Sequence, residues 1–282
     1  MKFSLFTDNG ALNSKPVFEA FAQGCGQLGH EVVYNSIDAD VAVIWSVLWH
    51  GRMSANQKVW QEFKASNKPI IVLEVGALHR NIMWKVGING INRDANFGDS
   101  DNDSSRADQL GLKLRPWTDN QDGHILICTQ HDKSEQWNGM PSISNWVLKV
   151  IEYIRSQTDR KIIVRPHPRC KLTGIDHEYP NVVLQRPQHI DGTYDDFDLD
   201  LSNTYAVVNW SSNPAIQAVV EGVPVFVSPH SLCHSVGNPI SGDYNNPNKP
   251  DRQQWLNDLA YTEWSVPEIS QGIPLKHLTS FL

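Results

Sequence analysis

Short apolar runs rich in β-branched residues alternate with segments of helical periodicity along most of the chain, and this alternation limits the fold more than any other feature. In the first half the runs are KFSLF, EVVYN, VAVIWS and PIIVLEV, with helical spacing near residues 16–28 and 54–66. Strands that are apolar on both faces and separated by helices are typical of a parallel sheet covered on both sides. The first half therefore predicts a parallel α/β sheet.

The same alternation starts again after a polar stretch. Residues 92–123 contain the run NRDANFGDSDNDSSRADQ, which predicts a long loop or a mobile flap. Its DND triplet is interpreted as solvated loop and not as a metal site. Beyond this stretch HILICTQ, KIIVRPHP, NVVLQ, YAVVNWSS and VPVFVS predict strands, with helices near residues 142–156 and 213–221. Two sheets in tandem fit a chain of 282 residues, because domains typically have about 100–150 residues.

We expect a first domain over residues 1–120, a second over residues 121–250, and a helical tail over residues 251–282 that packs back across the domain junction. The fold class is α/β, with two Rossmann-like domains facing a central cleft. Ligands bind at the carboxyl edge of open parallel sheets, because loops and helix N-termini converge there. The chemistry is therefore expected from residues that directly follow the strands.

Composition excludes several classes of protein. The net charge of −7 gives no global attraction to nucleic acid or to an acidic membrane, although a local basic cleft is still allowed. The four cysteines lie far apart without a CxxC pair, so neither a zinc site nor a disulfide framework is expected. Unpaired cysteines are typical of a protein in a reducing compartment. No apolar stretch approaches the roughly 20 residues that span a bilayer. We expect a soluble, cytoplasmic protein.

The strand KIIV ends in the motif RPHPR. Pro166 and Pro168 end the strand and stiffen its exit, because proline has no backbone N–H for the sheet. The stiff exit fixes the direction of His167, while Arg165 and Arg169 add charge suited to phosphate oxygens. We interpret the motif as a phosphate-binding element. A surface turn with incidental cations, or a histidine that is hydrogen-bonded in the core, is the alternative.

A second candidate site follows the strand YAVVN. Ser211, Ser212 and Asn213 stand after that strand, and Pro214 lies in the first turn of the next helix, where proline is well tolerated. The small hydroxyl residues are expected to cap this helix and to leave backbone N–H groups facing an anion. With RPHPR expected one sheet position away, we predict phosphate binding here. The capped helix start that any β/α unit needs is the alternative.

Carboxylates after other strands are candidates for a general base. Glu74 closes the apolar strand PIIVLEV, and burial would push its pKa toward a useful range. A structural salt bridge with Arg80 is the alternative for the same residue. Asp8, in the first loop, is the rival base, and Asp132 after HILICTQ is a third candidate.

These motifs resemble those of GT-B-fold glycosyltransferases that use nucleotide sugars. RPHP, followed by a strand, Ser-Ser and a helix with the exit AVVEGVPVF, is similar to the HP and SS motifs of the capsule polysaccharide synthesis family. That family includes the Kdo transferases and their sialyltransferase-like relatives. The resemblance implies that His167, Ser211 and Ser212 contact the phosphate of the donor.

Two further stretches carry the resemblance. LEVGALHR is similar to the EDGFLR stretch of the family and places Glu74, Gly76 and Arg80 at matching positions, with Val75 where the family has an aspartate. TQHD is similar to the glutamine and aspartate after the family's linker strand, here Gln130 and Asp132. The resemblance implies a donor-side role for Gln130. It implies acceptor-side roles for Arg80 and Asp132.

The combined expectation is a metal-independent glycosyltransferase that moves a sugar from a nucleotide-sugar donor to an acceptor hydroxyl on a glycan or on modified DNA. His167, with Arg165 or Arg169, would neutralise the departing phosphate, and Glu74 or Asp8 would take the acceptor proton. No cofactor and no metal are expected besides the donor substrate. The polar stretch at residues 93–110 is expected to close over the acceptor.

Three alternatives use the same residues differently. A phage enzyme that glycosylates hydroxymethylated DNA bases is one, since the tail YTEWSVPEISQGIPLKHL resembles small phage-encoded proteins. It would need a basic track with aromatics. The candidates for this track are Arg80, Trp84, Lys85, Arg93 and Arg106. A non-catalytic nucleotide- or sugar-binding module would lack a working base. A nucleotide-sugar epimerase would turn over the donor without an acceptor.

Overall fold

The chain divides into two compact units, each built on a six-stranded sheet. The first unit comprises Met1–Leu110 and Leu256–Leu282, and the second comprises Gly111–Trp255. The computed structural model describes residues 1–172, 175, 179–194 and 196–282. The predicted tail is therefore not a separate segment, because most of it belongs to the first unit.

The strands and helices that the apolar runs predicted occur in the expected order, together with further elements that the pattern did not predict. The strands are β1 (Lys2–Leu5), β2 (Glu31–Tyr34), β3 (Val41–Trp45), β4 (Ile70–Val75), β5 (Met83–Ile88), β6 (His124–Cys128), β7 (Ile162–Arg165), β8 (Val182–Leu184), β9 (Thr204–Asn209), β10 (Val225–Val227), β11 (Asn238–Pro239) and β12 (Glu263–Ser265). The helices are α1 (Lys15–Gln27), α2 (Asn56–Ala65), α3 (Ser105–Gln109), α4 (Ile143–Arg155), α5 (Pro214–Val220), α6 (Gln253–Ala260), α7 (Val266–Ser270) and α8 (Ile273–Leu278).

The sheet of the first unit has the order β12-β5-β4-β3-β1-β2. Strands β1 to β4 pair in parallel, and all five residues of β3 are buried, as expected for a sheet covered on both faces. On one face α1 packs Val17, Phe18 and Phe21 into a core that also contains Phe3 from β1. This half of the unit follows directly from the sequence pattern.

Two antiparallel strands, β5 and β12, extend this sheet, and the sequence pattern did not predict either of them. In β5 a lysine and a glycine interrupt the apolar run, so it does not look like a buried strand. Only three residues long, β12 belongs to the tail and pairs with β5. This pairing is the physical reason that the tail lies in the first unit.

The sheet of the second unit has the order β11-β10-β9-β6-β7-β8, and every pair in it is parallel. All six residues of the central strand β9 are buried. Ser142 caps the amphipathic helix α4, and its hydroxyl accepts a hydrogen bond from the Asn145 backbone N–H at 3.2 Å. Its apolar face, which includes Trp146 and Ile151, joins the core on the sheet. The α/β class with two Rossmann-like units is confirmed.

The predicted flap is partly a packed element. Within it α3 forms, and the Arg106 side chain of α3 is only 6% exposed. Its guanidinium donates hydrogen bonds to the carbonyls of Ala260 (2.6 Å) and Glu263 (2.7 Å), and to a carboxylate oxygen of Glu268 (2.7 Å). The expectation of a mobile flap is therefore wrong at α3, because three bonds hold this arginine to the tail.

Candidate functional site

Three strand ends of the second unit lie side by side at the carboxyl edge of its sheet. The middle strand is β6, and its last residue, Cys128, is in register with Asn209 of β9 and with Arg165 of β7. The two predicted motifs therefore leave the sheet at the same edge and at the same height. They are two sheet positions apart and not one, because the start of the TQHD segment leaves the sheet between them.

The β6 and β9 ends are joined by side chains. The Ser211 hydroxyl donates to Gln130 Oε1 at 3.0 Å, and Gln130 Nε2 donates to the Ser134 hydroxyl at 3.1 Å. Both Ser211 and Gln130 are buried, at 5% and 6% exposure. The predicted donor-side pair thus forms an internal link between two loops.

The β6 and β7 ends are joined as well. The His167 backbone N–H donates to the Thr129 hydroxyl at 2.9 Å, and the rings of His167 and His131 pack edge to face with centroids 5.0 Å apart. His167 Nδ1 accepts the Arg169 backbone N–H at 3.2 Å. A neutral His167 ring therefore carries its proton on Nε2, where it can donate. These two hydrogen bonds, at the His167 backbone and at its ring, hold the segment that follows β7, where the two prolines predicted a stiff exit from the strand.

The two arginines of RPHPR differ in their surroundings. Arg165 is half-buried, and its guanidinium donates to the Asp198 carbonyl at 2.5 Å. Arg169 is exposed. Asp132 lies on the β6 side of the same edge, with one oxygen 3.1 Å from His131 Nδ1. The edge thus combines two imidazoles, two guanidinium groups and one carboxylate.

The Ser-Ser turn differs from the predicted helix cap. The residue that precedes α5 is Asn213, and the two hydroxyls make other bonds: that of Ser211 reaches Gln130, and that of Ser212 accepts from Asn209 Nδ2 at 2.6 Å. The capping prediction is wrong because Asn209 and Gln130, side chains at neighbouring strand ends, bind these hydroxyls.

A cluster of three tryptophans packs next to the same turn. The Trp210 ring packs edge to face on Trp137 and Trp146, with centroids 5.6 and 6.5 Å away, and its Nε1–H donates to the Gln136 carbonyl at 3.1 Å. Such contacts hold a ring in one orientation. The serines that follow Trp210 therefore start from a fixed backbone.

Sequence reasoning missed two residues of this edge, His131 and Asn209. His131 lies between two predicted residues in TQHD, so its position alone could have identified it. Asn209 is the one polar residue in the buried end of YAVVN and is completely buried. A buried polar side chain needs hydrogen-bond partners, and this rule was the available signal.

The candidates for a base, Asp8 and Glu74, belong to the first unit. Asp8 is exposed in a turn that follows β1. Glu74 is half-buried, and its Oε1 accepts the Val75 backbone N–H at 2.7 Å. In the β4–β5 register it lies directly opposite Lys85, a side chain only 1% exposed. The half-buried Arg80 follows the same strand, β4.

The turn after β4 has a structural partner in the tail. Glu263 is fully buried, and its carboxylate accepts the backbone N–H groups of Ala77 (2.6 Å) and Leu78 (3.0 Å). A Cβ atom on Gly76 would overlap this carboxylate and come within 2.5 Å of the Met83 carbonyl oxygen. This close approach accounts for the glycine in LEVGALHR.

The basic track expected for a DNA acceptor is wrong at three of its positions. Trp84, Lys85 and Arg106 are 6%, 1% and 6% exposed. Trp84 and Lys85 are buried because they lie in β5, between β4 and β12, and the bonds of Arg106 hold it against the tail. A duplex cannot reach these side chains.

Neither a metal-binding cluster nor a membrane-spanning helix occurs in the part of the chain that the structure describes. There, His, Cys, Asp and Glu side chains form no group of three or more that could hold a metal ion. No helix there has the length and apolar character needed to cross a membrane.

Comparison with known proteins identifies the fold. Neither a protein family model nor a curated protein matches the sequence. Among solved structures, the chain is similar to KpsC of Thermosulfurimonas dismutans, a β-Kdo 2,4 transferase, with a TM-score of 0.52 and 14% identity over 97% of this chain and 98% of that one. The chain has the GT-B fold.

Two other solved structures have lower TM-scores. The β-Kdo 2,7 transferase of the same KpsC has a TM-score of 0.48 and 16% identity over 98% of this chain and 100% of that one. A Listeria monocytogenes protein assigned as a UDP-N-acetylglucosamine 2-epimerase has a TM-score of 0.32 and 9% identity over 98% and 93% of the two chains. Similarity at this level adds no argument to the GT-B assignment. The predicted resemblance to GT-B transferases is confirmed at the level of fold.

Proposed function

We propose that this chain is a glycosyltransferase that moves a sugar from a nucleotide-sugar donor to an acceptor hydroxyl. The GT-B fold, shared with a Kdo transferase, supports this class of reaction. The observation that carries the proposal is the gathering of His167, Arg169 and Ser212 at one edge of the second sheet, through the adjacent ends of β7, β6 and β9. Open α/β sheets bind phosphorylated ligands at this edge.

The chemistry follows from the charge that develops on the donor. As the bond to the sugar breaks, the departing phosphate gains negative charge, and fixed hydrogen-bond donors or cations lower the energy of that transition state. The Nε2–H of a neutral His167 is such a donor, and its ring is oriented by the Arg169 N–H. The exposed Arg169 guanidinium adds positive charge. We propose that these groups, and not a metal ion, neutralise the phosphate.

The group that takes the acceptor proton is proposed to be Glu74 or Asp8. Neutral isosteres separate the two: Glu74→Gln or Asp8→Asn should lower transfer strongly while donor binding is retained. A base is needed only in the step that forms the new bond. The variant that lowers transfer identifies the base, and two fully active variants would remove both candidates.

The first experiment is a thermal-shift screen of the purified chain against nucleotides and nucleotide sugars. A ligand at 100 times its dissociation constant adds about 2.7 kcal/mol to the free energy of unfolding, which such a screen detects. Turnover of the donors that bind is then measured with and without candidate glycan acceptors. Turnover that needs an acceptor supports transfer. Turnover without one would favour an epimerase, and binding without any turnover would favour a non-catalytic module.

The decisive variant is His167→Ala. Loss of one stabilising contact to a developing charge lowers turnover by about 10²-fold. The matched control is His124→Ala, because His124 begins β6 at the opposite edge of the same sheet. The control should turn over like the parent chain. Full activity of His167→Ala would contradict the phosphate role and with it the proposed function.

A further inference from the structure

Ser211 and Ser212 are adjacent in the chain, but the structure gives their hydroxyls opposite hydrogen-bond roles. Ser211 is buried, and its hydroxyl is the donor in the bond to Gln130 Oε1. Ser212 is half-buried, and its hydroxyl is the acceptor in the bond from Asn209 Nδ2. The two serines of the SS motif therefore differ in burial and in hydrogen-bond role.

The orientation of the Asn209 amide is fixed by its backbone partner. The Ser212 backbone N–H lies 2.8 Å from Oδ1 of Asn209, and a backbone N–H can only donate. The atom that accepts it is therefore the amide oxygen. The other end of the amide, 2.6 Å from Ser212 Oγ, is then the NH₂ group, which can only donate. No choice of hydrogen positions reverses this pair.

The proton of the Ser212 hydroxyl is consequently directed away from Asn209. Since Oγ already accepts from the amide, its own O–H is the group left to donate to a ligand. Asn209 is itself held by the sheet, because it is fully buried and is the last residue of β9, in register with Cys128. The Ser212 oxygen is thus held in position before any ligand arrives, with its O–H directed away from Asn209.

We infer that Ser212 is the hydroxyl that donates to the phosphate of the donor substrate, and that Asn209 is its positioning residue. Ser211 and Gln130 form the internal link that holds the β9 and β6 ends together. This inference rests on the proposed function, because it concerns the same phosphate site. A neutral hydroxyl whose oxygen is already in position can donate to a phosphate oxygen without giving up the bond that it accepts.

The adjacent serines provide a matched pair of variants in the full-length chain. Binding of inorganic pyrophosphate and of the best nucleotide from the screen is measured by calorimetry for Ser212→Ala and Ser211→Ala. Loss of a hydrogen bond to a charged group should weaken binding by about tenfold or more in Ser212→Ala. Ser211→Ala should keep the affinity and lower the melting temperature. The reverse ranking of affinities would overturn the inference, and Ser212→Thr should restore binding because it keeps the hydroxyl.

Asn209 is tested through its effect on Ser212. If Asn209 acts only by orienting that hydroxyl, Asn209→Ala weakens binding, and the double variant with Ser212→Ala binds no worse than the Ser212 variant alone. Additive losses would contradict the positioning role. Asn209→Asp supplies a readout that a purely structural residue would not affect: its affinity for pyrophosphate should fall at neutral pH and recover as the aspartate is protonated, because the repulsion between like charges disappears.

The outcomes separate the two proposals. If the parent chain binds neither pyrophosphate nor any nucleotide, the proposed function and this inference both fail. If the parent chain binds and Ser212→Ala binds equally well, only this inference fails. Melting curves of every variant show whether it is folded. If an alanine variant does not fold, Ser212→Thr still keeps the hydroxyl and Asn209→Asp still keeps the side-chain volume.

Discussion

The guanidinium carbon of Arg106 lies 3.8 Å from the centre of the Trp264 ring. The two residues come from α3 and β12, and the same guanidinium donates to two tail carbonyls and to Glu268. A planar cation with several fixed donors suits a site of this kind better than an ammonium does. Arg106 therefore connects the polar stretch and the tail within the first unit.

Arg106→Met should destabilise the first unit by about 3 kcal/mol, since it leaves the mostly buried Glu268 carboxylate without its cation. The free energy of unfolding is measured in urea. The control is Arg115→Met, whose ion pair with Glu221 is exposed, and its change should stay below about 1 kcal/mol. Equal changes in the two variants would contradict the anchoring role of Arg106.

The pH dependence of stability should show a contribution from Glu268. Burial raises the pKa of this carboxyl, but hydrogen bonds from Arg106 and Ser265 outweigh burial, so its pKa lies below the ordinary value in the folded chain. The stabilisation is therefore complete above the unfolded pKa and is lost as pH falls through the folded one. Glu268→Gln should flatten the acid side of the stability profile. An unchanged acid limb in this variant would refute the assignment.

Gly76→Ala should destabilise the chain by about 1–3 kcal/mol, the range for overpacking a rigid site. The added methyl group would overlap the Glu263 carboxylate and the Met83 carbonyl, so the two bonds from Ala77 and Leu78 would be displaced. Urea titration measures the effect.

The control for this substitution is Gly26→Ala in α1. A Cβ atom there meets nothing within 4 Å, and alanine is the better helix former, so this variant should gain up to about 1 kcal/mol. If both alanines stabilised the chain, the turn after β4 would not be as tightly packed as the structure indicates.

The alternation of apolar runs was enough to predict β1 to β4, β6 to β10 and the α/β class, because short runs rich in β-branched residues between helical segments have a strong sequence signal. It could not predict β5, where Lys85 and Gly87 interrupt the run. The buried Lys85 lies opposite a carboxylate residue on each neighbouring strand, Glu74 on β4 and Glu263 on β12. Such charge complementarity depends on sheet order, which local sequence does not contain.

The residues of the candidate site were also predicted in part, but the contacts between them were not. Strand ends are recognisable from sequence, so His167, Ser211 and Ser212 were identified as residues of the carboxyl edge. The hydrogen bonds among them were not, because they depend on β6 lying between β7 and β9. That order brings Gln130 to Ser211 and replaces the predicted helix cap. Asn209 was missed because it was treated as part of the strand.

A thiol at the candidate site offers a last test that needs no knowledge of the substrate. Cys170 is half-buried, and burial raises its pKa. Cys25, Cys128 and Cys233 are buried, and burial raises the pKa values of Cys25 and Cys128 to about 12. A thiol reagent should therefore modify Cys170 first, in a fast phase whose rate rises with pH, and Cys170→Ser should remove this fast phase.

The same reaction tests whether Cys170 lies at the phosphate site. The Cys170 N–H donates to the His167 carbonyl at 2.9 Å, so bound pyrophosphate should slow the modification of Cys170. A fast phase that survives in Cys170→Ser would show that another thiol is the accessible one, and a rate unchanged by pyrophosphate would separate Cys170 from the phosphate site.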